Sequence, residues 1–224
     1  MGRLPDFIIM GEMKCGTTAL YRYISEHPKV KPAKRKELAF FNAYYDKGIE
    51  WYKSQFPDFK NGITGEATGY LKFPDVAPKV FKAVPNVKLI LILRNPVDRA
   101  YSHYHMHLRK GKIQVPFEDA IQGQSTYLNK GNYAWKLKRW MDVFPKEQFH
   151  IVQSEQLSKY PQKTLNEVFK FLGLPPHELN TYEHHNSGSY KPMKLETRKK
   201  LIDYFKPYNK ELYDFLGVDY QWDQ

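Results

Sequence analysis

The chain has 224 residues, of which 42% are hydrophobic and 16% aromatic, enough for one domain with a sizeable core. A single cysteine, Cys15, excludes an intrachain disulfide or a cysteine-based zinc site and fits a reducing, cytoplasmic setting. No apolar run approaches the roughly 20 residues needed to span a bilayer, while a net charge of +11 demands an anionic partner or a lysine-rich solvated surface.

In chain order, DFIIM (6–10) reads as a buried strand, and its apolar run is too short for a signal peptide. A helix over 17–26 follows, then a basic connection, KVKPAKRKE (29–37). Helical patterns cover 48–55 and 74–84, separated by a second strand, GITGEA (62–67). VKLILIL (87–93) is nearly continuous in β-branched residues and leucine, as suits a strand covered on both faces. Helices are expected over 97–109, 133–143 and 161–172, with a strand at FHIVQ (149–153). Two more amphipathic stretches, 194–205 and 207–216, are divided at Pro207. Strands alternating with helices predict an α/β fold, a three-layer P-loop-like arrangement with a mostly parallel central sheet, in one domain over 1–224. Ligands of such sheets sit beyond the carboxyl ends of the strands.

Gly11 to Thr18 reads GEMKCGTT, a strand–loop–helix junction whose amides from Lys14 to Thr18 converge on a helix N-terminus and favour an anion. It departs from the nucleotide triphosphatase pattern G-x-x-x-x-G-K-[ST]: Thr17 stands where the lysine belongs, and the lysine is at position 14. The strand VKLILIL ends in Arg94, not in the aspartate that would help to hold Mg²⁺. Arginine repels a metal ion and grips phosphate through its planar fork. These residues predict a metal-free site for two anionic groups, the alternative being an ordinary strand–loop–helix turn.

IIMGEMKCGTTALYRYISEHP, KELAFFN, GIEWYKSQFP, LILILRNPVDRAYSHY, GNYAWKLKRWMDVFP and NSGSYKPM, in this order, resemble the sulfotransferases that use 3′-phosphoadenosine 5′-phosphosulfate (PAPS). The likeness is to the branch of the heparan sulfate N- and 3-O-sulfotransferases and their bacterial relatives. It implies that Lys14, Cys15, Gly16, Thr17 and Thr18 cradle the 5′-phosphosulfate, and that Arg94 and Ser102 hold the 3′-phosphate. Gly188, Ser189, Tyr190 and Lys191 would close over the nucleotide. By the same resemblance Glu37 is the general base, while Lys14 stabilises the leaving group; simple pairing of Glu37 with Lys36 and Arg35 is the competing role. Glu66 is the second candidate carboxylate.

The resemblance also has departures. Ala67 stands where the heparan sulfate enzymes usually carry lysine, Ala39 where the 3-O branch has histidine, and Ser187 where a lysine is expected. A carbohydrate is the first expectation for the acceptor; a lipid, polyketide or other small metabolite is the alternative. From other classes, a metal-dependent nucleotide kinase lacks its lysine and aspartate here. A basic nucleic-acid-binding module leaves the glycine loop unexplained, and a nucleotide-binding protein without catalysis leaves Lys14 and Glu37 idle. His103 and His107, four apart on a predicted helix, could approach zinc only with a third ligand that the sequence does not offer, so partly exposed, hydrogen-bonded histidines are expected. Trp135 and Trp140 are both expected in the core.

Overall fold

The structure is a computed structural model, and it describes residues 2–123, 125–182 and 190–224. Its centre is a five-stranded sheet: β1 (Phe7–Gly11), β2 (Val30–Pro32), β3 (Ile63–Ala67), β4 (Lys88–Leu93) and β5 (Phe149–Gln153). The spatial order is β2-β3-β1-β4-β5, and every pairing is parallel. β1 and β4 are buried along almost their whole length, which is why both read as continuous apolar runs.

The first half of the chain adds α1 (Thr17–Ser25), the short α2 (Phe40–Ala43), α3 (Gly48–Ser54) and α4 (Ala77–Ala83). α5 (Pro96–Arg109) follows β4, with short turns α6 (Phe117–Ala120) and α7 (Thr126–Asn129) before α8 (Ala134–Met141). After β5 come α9 (Ser154–Lys159), α10 (Pro161–Leu172) and α11 (Leu195–Leu216). No helix among the described residues is long and apolar enough to cross a membrane.

Two features depart from the sequence expectation. β2 is a three-residue edge strand, VKP, whose last two residues are exposed, so no periodicity announced it. The stretches 194–205 and 207–216 form one helix with Pro207 inside it. Proline removes one backbone bond. Here Thr197, Leu201 and Phe205 are buried on one side of it and Asn209 and Leu212 on the other, while Pro207 itself is exposed. Packing of both halves on the same body outweighs the lost bond.

The main core gathers both faces of the sheet around Ile8, Ile90, Leu91, Trp140 and Phe169. A second cluster, including Val97, Tyr104, Tyr127, Leu201 and Phe205, joins α5, α7 and α11. Trp140 is fully buried, but Trp135 is 42% exposed. Five residues along a helix turn the side chain well away from its partner's face.

The strand order places a topological switch between β1 and β4. The connection from β1 runs toward β2 on one side of the sheet, whereas that from β4 runs toward β5 on the other. Such a crevice is where open α/β sheets bind ligands.

Candidate active site: the cleft at the ends of β1 and β4

β1 ends at Gly11, where an added Cβ would stand 2.8 Å from the carbonyl oxygen of Ile92. The loop beyond it turns through two left-handed residues, Lys14 (φ 73°) and Gly16 (φ 106°). Lysine is strained in that region, and strain of this kind gathers at ligand sites. α1 then starts at Thr17, leaving its first amides without intrahelical partners and facing the partial positive charge outward.

Cys15 does not share in this. Its amide donates back to the Glu12 carbonyl at 3.1 Å, and its side chain is fully buried, with Sγ 3.7 Å from the Tyr133 hydroxyl. Burial pushes the thiol up to about 11. Cys15 therefore anchors the loop from below, with its thiol turned toward Tyr133.

Arg94 follows β4 directly. Its guanidinium donates to the Lys14 carbonyl at 3.1 Å, and its own carbonyl accepts from the Tyr133 hydroxyl at 2.9 Å. Asn95 caps α5 by accepting from the Val97 amide at 2.9 Å, with Pro96 at the first helical position. That cap aims the helix so that Ser102, only 5% exposed, reaches the cleft. Asp98, four residues earlier, also lines the cleft and pairs with Arg198 of α11 at 2.7 Å.

One cleft of about 1120 Å³ brings together Lys14, Gly16, Thr17, Thr18, Glu37, Arg94, Ser102 and Tyr190. Lys191 is exposed and outside it; its carbonyl accepts from the Tyr101 hydroxyl at 2.9 Å. Gly188 and Ser189, and with them Ser187, lie outside the described residues. Tyr190 stacks on the His105 ring with centroids 4.1 Å apart.

The cleft is strongly cationic, with Lys36, Arg109, Lys110 and Lys159 in its walls beside Lys14 and Arg94. Burial lowers the pKa of Lys14, and the nearby charges of Arg109, Arg94 and Lys110 lower it further. An anion would relieve all three repulsions. Arg109 and Lys110 were not anticipated from sequence, although Ser102, Met106 and Arg109 fall on one helical face. Of the acidic walls, Asp98 is paired, and a Glu155 oxygen accepts from the Asn95 amide at 2.8 Å. Among the described residues no group of three or more His, Cys, Asp or Glu side chains could hold a metal ion.

Glu37 sits at φ 60° on the segment entering α2. Its amide donates to the Ala67 carbonyl at 3.0 Å, and its carboxylate accepts from the Gly69 amide at 3.3 Å and from Lys36 at 2.5 Å. The pairing with Lys36 is thus real, and Glu37 shares the cleft with Lys14 all the same. Glu66 is different: fully buried at the end of β3, it accepts from Tyr52 at 2.6 Å, Thr68 at 2.5 Å and Tyr70 at 3.3 Å. Burial raises its carboxyl to about 7 against the opposing effect of those bonds. It cannot touch a substrate.

A smaller recess of about 530 Å³ lies along α1, lined in part by Tyr21, Arg22 and Ser25, and shares Thr18 and Lys36 with the cleft. Of His103 and His107 on α5, the first is interior and the second half-buried. His103 is fully buried, its Nε2 lies 3.2 Å from that of His107, and His107 Nδ1 meets the Tyr127 hydroxyl at 2.9 Å. Burial drives the His103 pKa down to about 3, so it stays neutral. Neither ring lines the cleft; Met106, between them, does.

A parallel sheet with a glycine loop leading into a helix on one side of its switch point and an arginine on the other defines a P-loop-like domain. The sulfotransferase domain family matches residues 4–219, and the chain belongs to that family. It is 28% identical to the membrane-associated sulfotransferase kil1 of Dictyostelium discoideum, covering 98% of this chain and 66% of that protein. It is 32% identical to human heparan sulfate glucosamine 3-O-sulfotransferase 5, covering 98% of this chain and 74% of the relative. The sulfotransferase structure from Alicyclobacillus acidocaldarius superposes with a TM-score of 0.86 at 27% identity, over 98% of this chain and 99% of that one. The chain thus spans about two thirds of kil1, and it spans 30% of human bifunctional heparan sulfate N-deacetylase/N-sulfotransferase 3.

Proposed function

We propose that this sulfotransferase moves a sulfuryl group from PAPS to a hydroxyl or amine of a carbohydrate. The observation that carries the reading is the gathering of Lys14, Gly16, Thr17 and Thr18, of Arg94 and Ser102, and of the carboxylate of Glu37 in one cleft. PAPS carries a phosphosulfate and a separate phosphate, which fits a cleft walled by several cations. The amides of Gly16, Thr17 and Thr18 and the Lys14 ammonium would hold the phosphosulfate. Arg94, reinforced by Ser102, would hold the 3′-phosphate, and Tyr190 would border the nucleotide.

In line transfer places charge on the departing phosphate oxygen as the acceptor oxygen or nitrogen bonds to sulfur. Lys14 supplies a fixed cation for that charge, in a site whose burial strengthens the interaction. Glu37 takes the acceptor proton, and the Gly69 amide and Lys36 hold its carboxylate in place. The recess at Thr18, Arg22 and Lys36 opens beside the base and is the proposed seat of the acceptor. A carbohydrate is favoured because the human 3-O relative acts on heparan sulfate glucosamine by its name.

The test is transfer of radiolabelled sulfate from PAPS to N-acetylheparosan, de-N-acetylated heparosan and a neutral oligosaccharide. Label on a polysaccharide, abolished in Glu37→Gln, supports the reading. Turnover on none of these but on a lipid or small phenol would overturn the carbohydrate assignment while keeping the chemistry.

A further inference from the structure

Glu37 and Ala39 are both held in the left-handed region, at φ 60° and 54°, with fully buried Leu38 between them. Neither residue is a glycine, and such a strained conformation persists only where the surrounding structure imposes it. The bonds that impose it come from the end of β3. The Ala67 carbonyl receives the Glu37 amide at 3.0 Å, and Thr68 Oγ1 receives the Ala39 amide at 3.4 Å.

Thr68 accepts from Ala39 while its own proton is committed to Glu66 at 2.5 Å, which fixes the orientation of its hydroxyl. Glu66 in turn is fixed by the Tyr52 and Tyr70 hydroxyls, from α3 and from the turn after β3. All three side chains are fully buried, and Thr68 is 4% exposed. A fully buried carboxylate is costly to keep, and three hydroxyl donors converging on it form a satisfied network of the kind that makes one conformation unique.

We propose that Glu66 and Thr68 are positioning residues for Glu37, a brace that runs Tyr52/Tyr70–Glu66–Thr68–Ala39 and holds the segment 37–39 so that the base faces Lys14. The proposal rests on the reading of Glu37 as the base. It assigns Glu66 no contact with substrate: the residue acts through Thr68 and the Ala39 amide.

The experiment uses the full chain with Glu66→Gln, Thr68→Val, Thr68→Ser and Glu37→Gln. Glu66→Gln and Thr68→Val are expected to lower kcat about 10- to 100-fold, the scale of a small misplacement of a reacting group. KM for PAPS and the affinity for adenosine 3′,5′-bisphosphate stay unchanged. Thr68→Ser, which keeps the hydroxyl, restores kcat. Without any donor present, hydrogen exchange of the Ala39 amide quickens in Thr68→Val and not in Thr68→Ser. Unchanged kcat in Thr68→Val, or a parallel loss of donor affinity in both variants, overturns the brace. Should Glu66→Gln fail to fold, Thr68→Val against Thr68→Ser decides alone. Wild-type turnover in Glu37→Gln would overturn the base assignment instead, and the exchange measurement would still test whether Thr68 holds the segment.

Discussion

Arg94 donates to the carbonyl of Lys14 at 3.1 Å, which ties the loop after β1 to the end of β4. The two halves of the proposed anion site are therefore one mechanical unit across the switch point. Replacing Arg94 by alanine removes the proposed phosphate contact and the tie together. Affinity for adenosine 3′,5′-bisphosphate should fall about 10- to 100-fold, the range of a lost charge-assisted hydrogen bond. Arg94→Lys should recover little, since an ammonium cannot span the carbonyl and a phosphate as a planar fork does. Full recovery by lysine would show that charge alone matters there.

Lys14→Met should reduce kcat by about 10²- to 10³-fold, the usual effect of removing a group that stabilises developing charge. The pH dependence follows from its surroundings. Burial, then Arg109, Arg94 and Lys110, lower its pKa, so the free protein loses this cation at a lower pH than an ordinary lysine would. Arg109→Ala removes one of those repulsions and should move the basic limb of kcat/KM to higher pH. A limb that stays in place would separate Arg109 from Lys14.

The lone thiol gives a measurement of the folded state. Cys15 is fully buried and its pKa is pushed up to about 11, so thiolate is scarce at pH 8. Alkylation in native protein should be slow and limited by opening of the loop, and it should accelerate sharply in denaturant. Fast labelling of the native protein would contradict the placement of Cys15 beneath the loop.

Glu12 and Lys136 form an ion pair at 2.5 Å with side chains 0% and 6% exposed, beneath the same loop. Lys136→Met leaves the carboxylate buried and uncompensated and should cost about 3–5 kcal/mol by chemical denaturation. Adding Glu12→Gln should recover most of the loss. If the single variant is as stable as the parent, the pair is not buried in solution.

β1 and β4 were legible because burial on both faces leaves an unbroken apolar run, as in VKLILIL, observed as Lys88–Leu93. The strand–loop–helix turn was legible because GEMKCGTT places a glycine, observed at φ 106°, just before the helix. What remained hidden was set by packing between distant segments. Pro207 spoke for a break, yet contacts on both sides of it kept α11 whole. GEMKCGTT does not show that the Cys15 side chain points inward to Tyr133, 118 residues away in sequence. Arg109 and Lys110 stand at the end of the helix expected over 97–109, and only the course of α5 along the cleft brings them to Lys14. Glu66 looked like a possible base; its three buried hydroxyl partners remove it from the surface.

The central claim is that the cleft binds a nucleotide carrying two separate phosphates through Lys14–Thr18 and Arg94. Calorimetric titration with adenosine 3′,5′-bisphosphate in the absence of metal tests it most directly, with 5′-AMP and ATP–Mg²⁺ as controls. Tight metal-independent binding of the bisphosphate, weak binding of 5′-AMP and loss of the difference in Arg94→Ala is the predicted result. Binding of ATP–Mg²⁺ with none of the bisphosphate would contradict the account.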